Sequence, residues 1–529
     1  MSATSRFPRA AFFICLGLLV AACGGDGSTA PREASIRIVA GAGVTDTIDA
    51  NLVQALIVEV RASGGQLAPV GTLVRFEAQP NPLPRTYYDP AVLVCTLAAP
   101  TCGPNGFGDP AQLVADLTDA QGRAKVIVRL GHVAGPAAVQ VIVPELGLST
   151  SATFTVEPGT IAFVRAQAVD TTLQIGGTAV LRGHAVDRYD NVRSEVPTIT
   201  AGGGSAFTVD AASGTVTGQA MGEQSLYTRY GTLADTSLVR VVPIGRLVLW
   251  SSVERVVRLV NLDGSVERTL VSNVSSDFGA FPTFDATRQR VTLHTGTNNG
   301  AGPPNDVIVI DTTGSQRRDI GPAIGFSLVM ATRQVADGSV LVVGQISTDA
   351  SHPGYSLWRV AADNTITFMA ALPDLGAPYP GYPWPDYGGA DISHNGSRVA
   401  YIGTTSTDVT ELRVLDVSSG AITVLDATSS SSPRWSAQDD RIAYLTAAGN
   451  WAQPYGAPIV VNADGTGRSA LGTAGFSPGL AWSPDGKYLV GRPVEGSSLR
   501  LFRLSDGINV TLSFRSSGIQ QDYWQPDWR

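Results

Sequence analysis

The stretch Gly475–Gly479 (GFSPG) has the G-x-S-x-G pattern of a hydrolase nucleophile elbow. In such an elbow the residue after the serine donates its backbone N–H to the oxyanion hole. Pro478 holds that position and has no N–H to donate. The triad order of these hydrolases also needs a histidine after the serine, and the last histidine of the sequence is His394. The stretch therefore predicts a connection into a strand, with Ser477 outside any catalytic role.

Metal ligands are also sparse in the sequence. His294, His352 and His394 are the histidines of the C-terminal half, and in the repeat described below His394 and His352 fall at opposite faces, so one metal ion cannot bind both. Asn462–Gly467 (NADGTG) has the start of a calcium loop, but Thr473 stands where the bidentate glutamate would be. We expect a turn there, no metal site, no cofactor and no catalytic residue.

The N-terminus has the form of a targeting segment. Ala10–Ala22 is an apolar run that is short for a membrane span, and it ends in Val-Ala-Ala before Cys23. This ending resembles the lipobox of bacterial lipoproteins, which implies that residues 1–23 are a signal peptide lipidated at Cys23. An ordinary secretory signal is the alternative. Residues 24–33 are rich in Gly, Ser and other small or polar residues and predict a flexible linker.

The resemblance also implies a location. Gly24 rather than aspartate follows the cysteine, which by analogy with lipoproteins favours the outer membrane, at its periplasmic or surface face, with the lipid as the sole contact to the membrane. In an exported protein a close cysteine pair favours a disulfide, so Cys95 and Cys102 are expected to form a local bridge.

Composition predicts an all-β protein of several domains. The chain has 529 residues, a formal charge of −8 and 58 glycines, and short alternating runs bounded by Gly, Pro, Asn and Asp recur throughout. Lys and Arg are scattered, whereas nucleic-acid binding needs a basic patch. A nucleic-acid partner is therefore not expected, and we expect a monomer.

Two β-sandwich modules are predicted first. Alternating runs such as Ser35–Ala40 and Leu73–Ala78 resemble the bacterial Ig-like domains of invasin and intimin-type surface proteins, which assigns residues 34–157 to one such domain. Pro80–Asp109 departs from the pattern as a Pro-rich insertion that carries the cysteine pair. Residues 158–243 resemble a second bacterial Ig-like family. Modules of this kind serve as spacers or adhesive units.

A β-propeller is predicted from 244 to 529. The motif Trp482–Gly486 (WSPDG) followed by a strand recurs in degenerate copies with a period of about 40–58 residues. It resembles the repeats of TolB-type propellers. Arg246–Ser251 lacks a preceding first strand, and Tyr523–Trp528 is a first strand with nothing after it. Joining them completes one blade from both termini and gives six blades.

Aromatic residues between prolines mark the predicted binding surface. Leu372–Gly389 and Ala447–Ala457 are long connections on the face that holds the loops between second and third strands and between blades. They carry Tyr379, Tyr382, Trp384, Tyr387, Trp451 and Tyr455. Stiffened aromatic residues are typical binding hot spots. The alternative is that these rings cap the end of the propeller itself.

The sequence as a whole predicts a non-enzymatic envelope lipoprotein that binds protein or glycan through this face. Two alternatives remain open: an adhesin that acts through the Ig-like modules, or a propeller enzyme that cleaves polysaccharide. The identity of the ligand, the exposure at the cell surface and the oligomeric state are not specified by the sequence.

Overall fold

The computed structural model describes most of the chain beyond the predicted linker. The described ranges are 32–79, 91–97, 112–167, 170–251, 254–274, 281–295, 306–320, 325–375, 389–405, 409–428, 430–446, 456–472, 475–494, 498–512 and 523–528. They divide into two compact units: unit 1 is Met1–Ala162 with Val186–Arg193, and unit 2 is Phe163–Ala185 with Ser194–Arg529. Apart from one 3₁₀ turn at Pro144–Leu146, every regular element described is a β-strand. The all-β prediction is confirmed. Cys23 lies outside the described residues.

The described residues of unit 1 form nine strands in two sheets. They are β1 (Ser35–Ala40), β2 (Thr45–Thr47), β3 (Leu56–Arg61), β4 (Leu73–Ala78), β5 (Val92–Cys95), β6 (Leu113–Leu117), β7 (Arg123–Leu130), β8 (Gly135–Val143) and β9 (Leu148–Glu157). One sheet has the order β1-β3-β7-β5 and the other β2-β9-β8-β4-β6. Alternate side chains of both sheets, including Val58, Val74, Phe76, Val126 and Val141, form one buried apolar cluster.

The expected insertion at Pro80–Asp109 contains a strand of the core. Strand β5 pairs antiparallel with β7, and all four of its residues are buried. A continuous apolar run of four residues between prolines lacks the alternation that marks a half-buried strand, and the strand is therefore not evident from the sequence. Cys95 ends β5, whereas Cys102 lies outside the described residues, so the disulfide stays a prediction.

A segment of the second module completes unit 1. Asp187 accepts hydrogen bonds from the backbone N–H groups of Gly159, at 2.8 Å, and of Asn191, at 3.0 Å. Asn191 in turn donates from Nδ2 to the His132 carbonyl oxygen at 2.7 Å. Tyr189 packs on the apolar cluster of unit 1. The turn 186–193 is therefore fixed to unit 1 by buried hydrogen bonds as well as by the chain.

Apart from residues 158–162 and the turn 186–193, the second module lies in unit 2. Its strands are β10 (Phe163–Ala166), β11 (Asp170–Gln174), β12 (Thr178–Val180), β13 (Gly183–Val186), β14 (Thr198–Ala201), β15 (Phe207–Asp210), β16 (Thr215–Gly218), β17 (Gly222–Tyr230) and β18 (Leu233–Val242). The two larger sheets have the orders β11-β18-β17-β14 and β12-β16-β15. They share a core that includes Leu173, Phe207, Val216, Leu226 and Val239.

The remaining strands form six four-stranded antiparallel sheets within the described part of the chain. Sheet 1 begins with β19 (Arg246–Ser251), β20 (Val256–Asn261) and β21 (Val266–Val271). Sheet 2 has β22 (Thr283–Phe284), β23 (Arg290–Thr295), β24 (Asp306–Asp311) and β25 (Arg317–Asp319). Sheet 3 has β26 (Phe326–Gln334), β27 (Val340–Ile346), β28 (Ser356–Val360) and β29 (Ile366–Ala371).

The later sheets repeat this order. Sheet 4 has β30 (Ala390–Ile392), β31 (Arg398–Thr404), β32 (Thr410–Asp416) and β33 (Ile422–Asp426). Sheet 5 has β34 (Ser430–Trp435), β35 (Arg441–Thr446), β36 (Pro458–Asn462) and β37 (Ser469–Ala470). Sheet 6 has β38 (Phe476–Trp482), β39 (Tyr488–Pro493), β40 (Leu499–Arg503) and β41 (Asn509–Leu512). The last strand, β42 (Tyr523–Trp528), pairs antiparallel with β19 and supplies the missing first strand of sheet 1.

Each sheet packs on the next through an apolar cluster. Val248 of sheet 1 shares a cluster with Val291 of sheet 2, and Val340 of sheet 3 shares one with Val307 of sheet 2. Further clusters join sheets 3 and 4, 4 and 5, and 5 and 6. A last cluster contains Leu249 of sheet 1 and Leu501 of sheet 6, which closes the succession into a ring. Sheets that pack face to face around a closed ring form a β-propeller.

The second module also packs on the propeller. Met221 and Val242 belong to the cluster between sheets 6 and 1. Glu223 accepts a hydrogen bond from the backbone N–H of Thr511, in β41, at 2.9 Å. Both buried apolar area and a polar contact therefore tie this module to the propeller within unit 2.

Candidate functional site

The propeller has two faces that differ in the length of their connections. Because each sheet is an antiparallel meander, the turns after its first and third strands lie at one face, and the other connections lie at the opposite face. Five residues separate the first and second strands in each of sheets 2 to 6: 285–289, 335–339, 393–397, 436–440 and 483–487. We call this the short-turn face. The opposite, long-connection face holds segments of up to 18 residues, the longest being 372–389 between β29 and β30.

Aspartates at the short turns accept hydrogen bonds from their own turn or from a neighbouring one. Asp337 accepts hydrogen bonds from the backbone N–H of Ser339 at 2.9 Å and from its hydroxyl at 2.6 Å. Gly338, between them, has φ 83°, which glycine adopts without a Cβ clash. Asp416 is held in the same way by Ser418, and the hydroxyl hydrogen bond lowers the pKa of Asp416 to about 2. The carboxylates of these aspartates stabilise the turns by accepting hydrogen bonds.

All six predicted binding residues lie outside the described residues. They are Tyr379, Tyr382, Trp384, Tyr387, Trp451 and Tyr455. The segments that flank them are described on both sides, so the points at which the aromatic segments leave the propeller are known.

The first aromatic segment is rooted at one end of strand β31. Leu375 forms an isolated bridge with Gly403, and the backbone N–H of Ile402 donates to the Gly389 carbonyl oxygen at 2.8 Å. Both roots of the segment 376–388 therefore contact neighbouring residues of a single strand. This end of β31 lies at the long-connection face, because its other end follows the short turn 393–397.

Arg413 stabilises this root. Its Nη1 donates to Asp374 Oδ2 at 2.9 Å and its Nε to Glu411 Oε2 at 3.0 Å. The side chain crosses Gly403 so closely that a Cβ there would lie 2.5 Å from Arg413 Nε. Burial acts to lower the pKa of Arg413, but the hydrogen bonds with Asp374 and Glu411 raise it above its ordinary value. The guanidinium is therefore always charged and clamps the root.

The second aromatic segment is rooted at the end of β35. Thr446 donates its backbone N–H to the Ala457 carbonyl oxygen at 3.0 Å and accepts from the Ala457 N–H through Oγ1 at 3.1 Å. Gly456 is bridged to Phe476, the first residue of β38. A Cβ on Gly456 would lie 1.3 Å from the Thr446 carbonyl oxygen, so only glycine fits at this crossing. This segment, 447–455, also leaves from the long-connection face.

Charged side chains meet on the propeller axis near the short-turn face. We call Thr283, Arg333, Asp391, Arg434 and Asp527 the axial cluster; each comes from the innermost strand of a different sheet. Arg333 donates from Nη2 to Asp391 Oδ1 at 3.0 Å and from Nη1 to the Phe284 carbonyl oxygen at 3.1 Å. Its side chain is only 3% exposed.

The aspartates of the cluster reach across to the next sheet. Asp391 Oδ2 accepts the backbone N–H of Trp435 at 2.8 Å, and Asp527 Oδ2 accepts that of Phe284 at 2.6 Å. Burial acts to lower the pKa of Arg333, but the charges of Asp391 and Asp527 raise it above its ordinary value. The charges of the cluster neutralise one another, and the arrangement ties sheets together at the axis rather than supplying a free acid or base.

His294, His352 and His394 belong to three different sheets, and each has its own contacts. His294 is buried, stacks on Phe281 at 4.8 Å, and burial lowers its pKa to about 3, with a further contribution from the charge of Arg434. His352 pairs with Asp349 at 2.8 Å in a connection of the long-connection face. His394, in a short turn, contacts Asp439 Oδ1 through Nδ1 at 3.1 Å. In the ranges that the structure describes, three or more potential metal ligands do not cluster anywhere.

Ser477 lies inside a strand. It is the second residue of β38, pairs with Arg492 of β39 and is buried. We expected it in the connection that precedes the strand, and the strand instead begins one residue earlier, with a bulge between Ser477 and Ala481 absorbing the proline and glycine. The motif Asn462–Gly467 forms a turn, in which Asp464 accepts the Thr466 N–H at 2.9 Å.

The sequence did not lead us to the axial cluster or to the contacts between sheets. Arg398 lies over the ring of Trp435 at 4.6 Å, and Arg441 over that of Trp482 at 4.9 Å. A signal for both was present, because the charged axial residue directly precedes the tryptophan position of the repeat and the arginine begins the second strand. These positions become neighbours only when the sheets pack around the closed propeller.

No protein-family model and no curated protein matches the chain. Solved structures similar to it include TolB from Acinetobacter baumannii, at 15% identity and a TM-score of 0.40, with 62% of this chain and 82% of that chain covered. A putative TolB from Agrobacterium tumefaciens follows at 13% identity and 0.35, with coverages of 51% and 88%. An oligogalacturonate lyase in complex with manganese has 13% identity and 0.33, with coverages of 51% and 73%. Helices able to cross a bilayer do not occur in the part of the chain described above.

Proposed function

We propose that this protein is a lipid-anchored protein of the bacterial cell envelope that binds protein or glycan through the long-connection face of its propeller. In this proposal the six sheets are the blades of a TolB-like propeller, and residues 34–157 and 158–243 are Ig-like modules between it and the lipid on Cys23. The proposed action is binding without catalysis.

The observation that carries the proposal is the anchoring of the two aromatic segments. Both leave from one face, and both are held at their roots by backbone hydrogen bonds to rigid strands. Loops displayed on a rigid scaffold are the usual carriers of binding residues. Tyrosine and tryptophan supply large contact areas at low cost in conformational entropy. Proline neighbours restrict the segments further, which reduces the entropy lost on binding.

The opposite face supports the same assignment. Its turns are short, and the carboxylates of Asp337 and Asp416 accept hydrogen bonds from Ser339 and Ser418 of their own turns. The charges of the axial cluster compensate one another. The polar groups described on the short-turn face and at the axis are thus already engaged by the protein, which favours the long-connection face as the proposed ligand-binding face.

The proposal is tested by affinity capture from envelope extract and by glycan binding. The bait is the full chain, because Met221 and Val242 pack into the propeller and a cut at 243 would expose them. We expect specific capture by the unmodified chain and its loss in Tyr382→Ala/Trp384→Ala/Trp451→Ala. Tyr230→Ala, an exposed tyrosine of the second module, is the matched control and should retain capture.

If the triple variant retains all binding, the aromatic segments are not the site. Binding that instead depends on exposed residues of unit 1 would identify an adhesin that acts through its Ig-like modules. Release of oligosaccharides from a polysaccharide by the full chain would identify an enzyme.

A further inference from the structure

Unit 1 exposes three apolar side chains at one end. Leu67 is 41% exposed, Val70 71% and Leu117 56%. Leu67 and Val70 lie in the connection from β3 to β4, and Leu117 is the last residue of β6. Single exposed apolar residues are common, but several grouped at one end of a module indicate an interaction surface.

The three residues belong to one packed group of loops. Leu67 forms a bridge with Arg61, and a Cβ on Gly122 would lie 3.3 Å from Leu67 Cβ. The N–H of Gly71, next to Val70, donates to the Thr118 carbonyl oxygen, next to Leu117, at 2.9 Å. We call this end of unit 1, formed by 62–72 and 117–123, the proximal tip.

Guanidinium groups flank the proximal tip. Glu59 is paired with Arg61 at 2.9 Å, with Arg37 at 3.6 Å and with Arg123 at 3.7 Å. The carboxylate is 8% exposed, whereas the three arginine side chains are 43–70% exposed. One buried carboxylate therefore faces three arginines, and the group carries a net positive charge on exposed guanidinium groups.

The other acidic groups near the proximal tip are partly engaged. Asp119 accepts the backbone N–H groups of Gln121 at 2.8 Å and Arg123 at 2.9 Å, and Asp116 accepts that of Lys125 at 2.8 Å. Glu33 is exposed. The tip as a whole is thus a small apolar surface with arginines around it, in a protein whose net charge is −8.

The described chain starts at this end. The backbone N–H of Gly64 donates to the Arg32 carbonyl oxygen at 2.7 Å, which places residue 32 beside the connection 62–72. Nine residues lead from Cys23 to Arg32, a length of about 30 Å when fully extended. A lipid on Cys23 would hold the proximal tip within that distance of the phospholipid headgroups, at a high effective concentration.

We propose that the proximal tip docks on the phospholipid surface that holds the lipid anchor. Leu67, Val70 and Leu117 enter the boundary between headgroups and acyl chains, and Arg37 and Arg123 contact lipid phosphates. This docking rests on the proposed anchor for the direction in which the tip faces. It adds a protein contact to the lipid contact, as stable membrane association commonly needs two signals.

The test uses residues 24–529, which lack the lipid and keep every described residue. Co-sedimentation is measured with vesicles of phosphatidylethanolamine, with and without phosphatidylglycerol. We expect binding that is stronger with phosphatidylglycerol, and a fall of about tenfold in the partition coefficient for Leu67→Ser/Val70→Ser/Leu117→Ser. Val180→Ser/Val196→Ser, which changes exposed valines of unit 2, is the matched control and should bind as the unmodified chain does.

An unchanged partition coefficient in the tip variant, or no vesicle binding by the unmodified chain, would overturn the inference. Arg37→Gln/Arg123→Gln should remove the preference for phosphatidylglycerol and leave binding to phosphatidylethanolamine in place.

The lipid anchor is tested separately, by fractionating cells that express the full chain with Cys23→Ser. If that variant is released from the membrane fraction and residues 24–529 do not bind vesicles, the anchor is supported and the docking is refuted. Vesicle binding with no effect of Cys23→Ser would support the docking and refute the anchor.

Discussion

The seams between neighbouring sheets of the propeller follow two designs. At the seams of sheets 4/5, 5/6 and 6/1 a tryptophan ends the innermost strand and a residue of the preceding sheet covers its ring: Arg398 on Trp435, Arg441 on Trp482 and Tyr488 on Trp528. At seams 1/2, 2/3 and 3/4 the same position holds Phe284, Gln334 and Ile392. The propeller thus has a regular arc, at seams 4/5, 5/6 and 6/1, and an irregular arc, at seams 1/2, 2/3 and 3/4.

The irregular arc replaces aromatic packing with buried polar contacts. Thr283 donates from Oγ1 to the Thr332 carbonyl oxygen at 2.7 Å, and Arg333 bridges Phe284 and Asp391. The longest connection of the propeller, 372–389, joins sheets 3 and 4 in this arc. Departures from a repeat tend to mark functional sites, and the first aromatic segment falls in this arc, whereas the second, 447–455, belongs to sheet 5 of the regular arc.

The largest effect is expected from breaking the ion pair of the irregular arc. Asp391→Asn removes the carboxylate that is hydrogen-bonded to the buried Arg333 guanidinium, which costs about 3–5 kcal/mol of unfolding free energy. The measurement is a urea titration followed by tryptophan fluorescence. Arg333→Met/Asp391→Asn removes both charges and should recover most of the loss. Equal stability of Asp391→Asn and the unmodified protein would show that the charge pair does not hold this arc.

A medium effect is expected from His294, also in the irregular arc. Its folded pKa of about 3 lies below the ordinary 6.5, so between these values the unfolded chain binds a proton that the folded chain does not. Stability then falls as pH drops below 6.5, by about 1.4 kcal/mol per pH unit from this group, or about 2 kcal/mol at pH 5.

The measurement is the unfolding free energy at pH 8, 6 and 5 for the unmodified chain and His294→Gln. The variant should be less stable than the unmodified chain at pH 8, and this difference should shrink at pH 6 and shrink further, by about 2 kcal/mol in total, at pH 5, because the variant lacks the group that takes up a proton on unfolding. Parallel curves for the two proteins would contradict the buried, neutral histidine.

The smallest effect on stability is expected from two arginine substitutions that compare the two arcs directly. Arg441→Met removes the contact with the Trp482 ring and the hydrogen bond to the Gly486 carbonyl oxygen, at a cost of about 1–2 kcal/mol. Arg290 begins the second strand of sheet 2, as Arg441 does in sheet 5, but the next sheet has Gln334 in place of tryptophan. Arg290→Met should change stability by less than about 0.5 kcal/mol. Equal costs would mean that the arcs do not differ in this way.

Much of the fold could be predicted from local patterns. Asp-Gly and Asn-Gly pairs mark short turns, and Gly338, Gly396 and Gly486 have the positive φ that such turns need. The sequence has an unpaired strand at each end of the propeller region, which predicted that the two strands pair. Strands β19 and β42 do pair. The features that the sequence did not predict are contacts between distant residues or strands without an alternating pattern. Strand β5 is a uniformly buried run, and its place beside β7 depends on how the chain folds.

The site shows the same limit. The sequence indicated the aromatic segments by composition, and their residues lie outside the described ranges. It gave no indication of Arg413 beneath one root or of Gly456 at the other, because both roles arise from contacts between strands that are distant in sequence. The axial cluster was missed for the same reason: Arg333 and Asp391 are 58 residues apart.

The most direct test of the central claim compares the two faces of the propeller in one capture experiment. Trp384→Ala/Trp451→Ala changes the two segments that leave from the long-connection face, and Arg317→Ala/Lys487→Ala changes the short-turn face; both are made in the full chain. Loss of envelope-protein or glycan binding in the first variant and its retention in the second is the predicted result. Retention in the first variant with loss in the second would contradict the assignment of binding to the long-connection face.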